Sequence, residues 1–207
     1  MNADENSKTE LKLGAEVIQR LIPHRRPLLM VDGILAYRSS PQPTLWTRRL
    51  VSANEEVFSG HFPDLHIWPG IYTQEGIGQT TQLLEIIEIL QSQWRERGND
   101  PGEILSALRN LELKFRLHPG YRPESSACLE LFREQGKDLL GMSGIVEMRF
   151  IHPVFAGQCL EFSVTRTHRM DNISRFDVEA TVEGRTVARG KMTGIITLPI
   201  SGKTPAA

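Results

Sequence analysis

The chain has 207 residues, 40% of them hydrophobic and 24% charged, with a formal net charge of −1. That suits one ordinary globular domain long enough to bury a sizeable core, and bulk charge gives no reason to expect a nucleic-acid binder. The opening MNADENSKTE has no apolar run of signal-peptide type, and no stretch approaches a membrane span, so a cytoplasmic location without membrane insertion is expected.

Residues 1–10 read as a flexible arm, 11–198 as a single domain and 199–207 as a loose tail. Leu13, Val17, Ile18, Leu21 and Ile22 recur at helical spacing, and Pro23 ends that helix. In the following IPHRRPLLMVDGI, Pro23 and Pro27 bracket a turn, and Leu28 to Tyr37 reads as a buried strand. His24 and Arg25 are expected to hydrogen-bond that turn rather than to meet a ligand. RSSPQP at 38–43 is a turn cluster, and Thr44 to Val51 is a second strand.

The stretch 58–79, FSGHFPDLHIWPGIYTQEGIGQ, carries the chemistry. His61 sits in a Gly-His-Phe-Pro turn, and Pro69-Gly70 breaks the chain before a helix running to about Gln93. Ile71, Ile77, Leu83, Leu84, Ile86, Ile87 and Leu90 cover more than one face, so that helix is expected to be buried on most sides. Glu75 lies near its start. It serves there either as an ordinary acid at the positive end of the helix dipole, or as a carboxyl group held protonated in a dry site.

RERGNDPG at 95–102 breaks the helix, and from about Ile104 the chain reads as strands. Leu111, Leu113, Phe115 and Leu117 alternate with charged residues, and Ala127, Leu129 and Leu131 alternate likewise. Leu139 to Phe150, the run around Leu160 to Val164, the run around Phe176 to Val182, and Thr186 to Leu198 complete the set, with Glu183-Gly184 as a tight hairpin turn. Cys128 and Cys159 both fall in these strands, form no CxxC pair and are expected to be free thiols. One long apolar helix after two strands, followed by a run of antiparallel strands, is an α+β pattern. Its economical solution is a curved sheet around the helix.

GHFP, then five residues, then PG, then Glu fourteen positions after the His resembles the beta-hydroxyacyl-acyl carrier protein dehydratases of bacterial fatty acid synthesis. His61, Phe62, Pro63, Pro69, Gly70, Glu75 and Gln79 fall where that pattern has them, and VSANEEVFSGHFP extends the match upstream. The Pro-His-Arg turn leading to Val31-Asp32 is similar to the family's N-terminal signature, and GIVEMRFIHPVFAG and VEGRTVARGKM to its later strands. Residues of about 94–143 depart from the pattern and read as an insertion of two extra strands. This segment has three open roles: covering a tunnel, enlarging a subunit interface or binding a partner. It leans towards specialised polyene or polyketide chemistry over housekeeping synthesis.

The resemblance implies the hotdog fold and the loss of water from a β-hydroxyacyl thioester. It makes His61 the base at the α-carbon and Glu75 the acid that lets the β-hydroxyl leave. The Gly70 amide, at the helix start, would bind the thioester oxygen. Gln79, one turn after Glu75, either orients the carboxyl group or packs. Phe62 and Trp68 are further candidates for substrate contact, Trp68 reading equally well as core. The resemblance also implies sites shared between two subunits of a dimer, alone or in a trimer of dimers, with the acyl chain in an interfacial tunnel. The isomerising branch carries Asp at the acidic position, so Glu75 points to dehydration alone. The substrate would arrive on the phosphopantetheine of an acyl carrier protein, with no cofactor of the enzyme's own, and Arg25 and Arg26 are candidates for docking that acidic partner.

His61 and His66 are not helical neighbours, because Pro63 lies between them, and no zinc spacing is visible, so no metal is expected. No GxSxG elbow or Gly-rich phosphate loop is present. The remaining alternatives share the fold: an acyl thioesterase, against which GHFP argues, and a non-catalytic acyl-binding module, against which the His61 and Glu75 pair argues.

Overall fold

The computed structural model describes residues 8–118, 120–122, 127–136 and 140–197; the residues 199–207 expected as a loose tail lie outside them. β1 (Thr9–Gly14) leads directly into α1 (Ala15–Leu21). The arm expected over residues 1–10 therefore ends sooner, because Thr9 and Glu10 already pair with Tyr37 and Ala36. Leu13 belongs to the strand, where it alternates inward with Leu11, and the helical stripe is Val17, Ile18 and Leu21. β2 (Gly33–Arg38) starts later than the apolar run LLMV suggests. Met30 and Val31 are buried in irregular chain instead, and the Met30 amide goes to a side chain described below.

β3 (Thr44–Leu50), β4 (Leu140–Phe150), β5 (Cys159–Met170), β6 (Ile173–Val182) and β7 (Arg185–Thr197) complete one antiparallel sheet of order β1-β2-β3-β5-β6-β7-β4. β6 and β7 meet at Glu183 and Gly184, with φ of 51° and 77°, the left-handed pair that a two-residue hairpin requires. α2 (Gly70–Glu96, 27 residues) is roughly 40 Å long and lies against this sheet. Ile77, Leu83, Leu84, Ile86 and Ile87 are fully buried on it, in one core with Leu45, Phe162 and Phe176. Each such side chain contributes about 1.5–3 kcal/mol relative to exposure. The Phe162 ring packs directly on Gly76, where a Cβ would come within 2.6 Å of it, so the helix reaches the sheet only because that position is bare. This is the α+β hotdog arrangement.

The inserted segment forms helices where strands are expected. α3 (Gly102–Leu117) buries Ile104, Leu105, Leu108, Leu111 and Glu112, a helical stripe that begins before the alternating LELKFRL and overrides it. Leu113 and Leu117 consequently face solvent. α4 (Ala127–Gly136) holds Cys128, which is thus in a helix, and Cys159 is in β5; both are free thiols. The two helices pack against α1 and α2, and α3 also lies on β1, at the opposite edge of the sheet from β4. Glu112 fixes this join. Its carboxylate accepts from the Gly14 amide at 2.8 Å and from Arg116 Nε at 2.6 Å. Among the described residues, no helix is long and apolar enough to cross a membrane.

Candidate active site

The loop from Val51 to Pro69 must hold His61 although it contains little regular structure beyond the 3-10 turn Glu56–Ser59. Arg49, on β3, anchors the loop's start. Its guanidinium donates to Asp32 Oδ1 at 2.9 Å and to Glu55 Oε1 at 2.5 Å, while Asp32 Oδ2 accepts from the Leu50 amide at 2.8 Å. The Asp of the Pro-His-Arg signature and the Glu of VSANEE are thus two jaws of one clamp. An aromatic cluster anchors the loop's end: Trp68 is buried edge-on to Phe58 and Tyr72, with Arg49 over its ring. Trp68 lies in the core cluster.

Between these anchors the His61 amide donates to the Val57 carbonyl at 2.9 Å, and its Nδ1 lies 2.8 Å from the Ile67 carbonyl oxygen. A carbonyl oxygen only accepts, so Nδ1 carries the proton and Nε2 of the neutral ring is an unprotonated base. Phe62 stacks on the imidazole with centroids 4.4 Å apart and is half exposed.

Gly70 opens α2. A Cβ there would lie 3.1 Å from the Phe150 ring, so the bare position is what lets that ring close on the start of the helix. One turn after Glu75, Gln79 is buried and uses its whole amide. Oε1 accepts from the Met30 amide at 2.8 Å, while Nε2 donates to the Leu28 carbonyl at 2.5 Å and to Glu75 Oε1 at 2.8 Å. The backbone partners fix which way the amide faces, so the Glu75 oxygen necessarily receives an N–H. Gln79 therefore both packs and orients.

His24 is what the sequence reading misses. Its Nε2 stands 3.5 Å from Glu75 Oε1, and its Nδ1 is buried without a partner. The signal was present in the Pro-His-Arg turn, but local reading assigned it to the turn alone. Arg25 does hold that turn, donating to the carbonyls of Ile22, His24 and Gln19 at 2.7–2.9 Å. Arg26 beside it is exposed. The enclosure expected around Glu75 is not complete in one chain: its side chain is 40% exposed. Within one chain His61 and Glu75 bond to separate partners, Ile67 for the first, Gln79 and His24 for the second.

A cavity of about 200 Å³ opens beside Glu75, between α2 and the ends of β4 and β7. Among the described residues none of its lining comes from α3 or α4, while Gly141, Met142 and Ser143, at the end of the 94–143 segment, do line it. A carboxyl group oriented by a buried amide and a histidine ring held through its Nδ1 thus stand on a hotdog scaffold.

Residues 22–118 match the model of the FabA-like domain. The chain is 30% identical over 176 residues to the 3-hydroxyacyl-[acyl-carrier-protein] dehydratase FabZ of Neisseria meningitidis, covering 85% of this chain and 89% of that protein. It is 29% identical over 180 residues to the enzyme of the same name from Erwinia tasmaniensis, covering 87% and 90%. Among solved structures, the dehydratase heterocomplex ApeI:P from Xenorhabdus doucetiae superposes with a TM-score of 0.52 at 16% identity, over 87% of this chain and 90% of that one, a likeness of fold. The chain belongs to the FabZ-like 3-hydroxyacyl-[acyl-carrier-protein] dehydratase family.

Proposed function

We propose that the protein removes water from β-hydroxyacyl thioesters carried on an acyl carrier protein, giving trans-2-enoyl thioesters. The observation that carries this reading is the Gln79 amide locked by Met30 and Leu28 and donating to Glu75 Oε1. It leaves Oε2 as the oxygen to carry a proton, which is what a general acid needs. His61 Nε2 takes the α-proton as the C–O bond at the β-carbon breaks, and the hydroxyl leaves as water with the Glu75 proton. His61 ends protonated and Glu75 ionised, and proton exchange resets both. The Gly70 amide at the start of α2 offers a donor to the thioester oxygen, where negative charge builds.

The site is completed by a second copy. The apolar side chains of Phe62, Ile71 and Phe150 are exposed, Phe150 against Gly70, and β4 is a sheet edge that also exposes Met142 and Ile145. Pairing two such edges would cover these groups and the open side of Glu75, bringing one chain's His61 to the other's Glu75. Docking of the acidic carrier at Arg25 and Arg26 fits their exposure, with Arg26 the freer of the two. On this reading the enzyme works in the cytoplasm, in fatty acid or polyketide-type synthesis.

The direct test is a panel of β-hydroxyacyl thioesters followed for enoyl absorbance and for free thiol. Enoyl without thiol is expected. Release of thiol would make the protein a thioesterase, and neither signal would leave it an acyl-binding module.

A further inference from the structure

The chain carries 24 basic and 25 acidic residues, but it does not spread them evenly. Over α1, the turn that follows it and α3, the exposed cations are Arg20, Arg25, Arg26, Arg109, Lys114 and Arg116, while the exposed carboxylates are Glu16 and Glu103. Glu103 stands at the far end of α3 and accepts from Trp94 Nε1 at 2.9 Å. Glu112 is buried and engaged with the Gly14 amide and Arg116. Two of the cations are held in place by aromatic rings: the Arg20 guanidinium lies 4.2 Å over Phe115 of α3, and the Lys114 ammonium 5.3 Å over Tyr121. Burial pushes the Arg20 guanidinium below its ordinary range, and the charge of Arg25 pushes the same way against Glu16. Like charges crowded on one face of a nearly neutral chain attract an anionic partner.

The pattern on α3 says what kind of anion. Arg109, Leu113, Arg116 and Leu117 recur at helical spacing on one face, turned away from the buried Ile104, Leu108 and Leu111. Leu113 is 53% exposed and Leu117 62%. A nucleic-acid backbone would use the arginines and leave the leucines idle. A second copy of the same face would set arginine against arginine. An acidic amphipathic helix suits the whole stripe, its carboxylates on the two guanidinium groups and its apolar edge on the two leucines. The stripe is also joined to the entrance of the site. Phe115 meets Arg20, Arg25 donates to the carbonyls of Gln19 and His24, and His24 Nε2 stands 3.5 Å from Glu75. A partner of ordinary footprint, about 800 Å² on each side, is wide enough to touch both the Arg25–Arg26 turn and the C-terminal half of α3.

We propose that α3 is a docking arm for the acyl carrier protein: an acidic helix of the carrier lies along Arg109, Leu113, Arg116 and Leu117 while its phosphopantetheine enters past Arg25 and Arg26. The proposal rests on the reading of the protein as a dehydratase of carrier-bound substrates. α3 belongs to the segment that departs from the family's pattern, so this contact bears on which carrier the chain accepts rather than on the reaction it runs. The arginines steer the encounter and the leucines hold the docked pair.

The test is an NMR titration of an isotope-labelled bacterial acyl carrier protein, in its phosphopantetheine form, with the full-length protein, giving Kd at about 50 mM and about 300 mM salt. Arg109→Glu is expected to weaken binding at least about 5-fold at the lower salt and by less at the higher. Leu113→Ser should weaken it about 3-fold or more at both. Arg175→Glu makes the same charge change at an exposed position of β6, a strand that does not touch α3; it should leave Kd within about 2-fold of wild type. Thermal unfolding checks that each variant is folded, and Arg109→Ala replaces the reversal if that variant is not. No binding by wild type, equal losses from Arg109→Glu and Arg175→Glu, or a changed oligomeric mass in Leu113→Ser overturns the docking arm, the last by making the stripe a contact between copies. Enoyl formation by wild type from a β-hydroxyacyl pantetheine thioester is read in parallel. Carrier binding on α3 without any enoyl would sink the dehydratase reading and leave the docking arm standing; enoyl with a Kd indifferent to Arg109→Glu and Leu113→Ser would do the reverse.

Discussion

Glu75 and Glu85 stand on the same helix and line the same cavity, yet the fold treats them differently. Glu75 has an amide donor, a histidine at 3.5 Å, no arginine or lysine at salt-bridge distance among the described residues, and a side chain 40% exposed. Glu85 is 4% exposed at its side chain and is matched by Arg166 and Arg169; Arg166 also takes Glu88, which in turn accepts from Tyr37. A carboxylate held by two guanidinium groups is tied by charge and fixes α2 to β5, whereas a carboxyl group held by an amide is oriented without a countercharge.

Removing either member of the acid–base pair is the largest expected effect. His61→Ala and Glu75→Gln should each lower turnover by about 10²–10⁴-fold while leaving thermal unfolding nearly unchanged. Near-normal turnover in a folded Glu75→Gln protein would erase the contrast between the two ends of the cavity. Arg166→Met should do the opposite. It leaves Glu85 and Glu88 buried without their shared cation, a loss of about 3–5 kcal/mol, visible as a lower urea midpoint. A midpoint within error of wild type would mean that Arg169 and solvent suffice for both carboxylates.

Why one end was legible and the other was not follows from sequence distance. His61, Gly70, Glu75 and Gln79 fall within nineteen consecutive residues, so a spacing pattern could carry them, and the helical run from Gly70 was long enough to be unambiguous. Arg166 is 81 residues from Glu85, and Tyr37 is 51 from Glu88. No periodicity joins such partners, and β5 read only as an alternating strand. His24 was missed for the same reason, since Glu75 lies 51 residues on and the local turn already accounted for it. The insertion failed differently. Four alternating apolar residues from Leu111 to Leu117 satisfied a strand, while the helical stripe that decides the matter began at Ile104. Position in the fold was equally out of reach: that α3 lies on β1, away from the cavity, depends on Glu112 meeting the Gly14 amide across the chain.

Gln79 tests the amide side of the comparison. Gln79→Leu keeps the volume but leaves the buried Met30 amide unpaired, at a cost of about 1–3 kcal/mol, and takes a donor from the Leu28 carbonyl. It also frees Glu75 to turn. Turnover should fall by more than the stability loss accounts for, and the acidic limb of the pH–rate profile should move. Loss of stability with an unmoved profile would make Gln79 a packing residue only.

The smallest effect expected separates the charged end of the helix by pH. Burial, and then the neighbouring Glu88 carboxylate, push the Tyr37 phenol well above its ordinary range. The unfolded phenol ionises near pH 10, whereas the folded one holds its proton. Between those limits the native state binds more protons than the unfolded state, so stability falls as pH rises. The contribution is fully present below about pH 10 and is lost as pH climbs towards the folded value. Tyr37→Phe removes the hydrogen bonds to Glu88 and Gln91 and with them this slope. At neutral pH the variant should be less stable by about 1.5–3 kcal/mol, the range for a hydrogen bond to a charged group. Lysines and the other tyrosines also titrate in alkali, so the readout is the difference in urea midpoint between wild type and variant, taken at neutral pH and again above about pH 10. That difference should narrow in alkali. A difference that stays constant would mean that the folded phenol ionises no later than the unfolded one, and that Glu88 is held by Arg166 without the phenol.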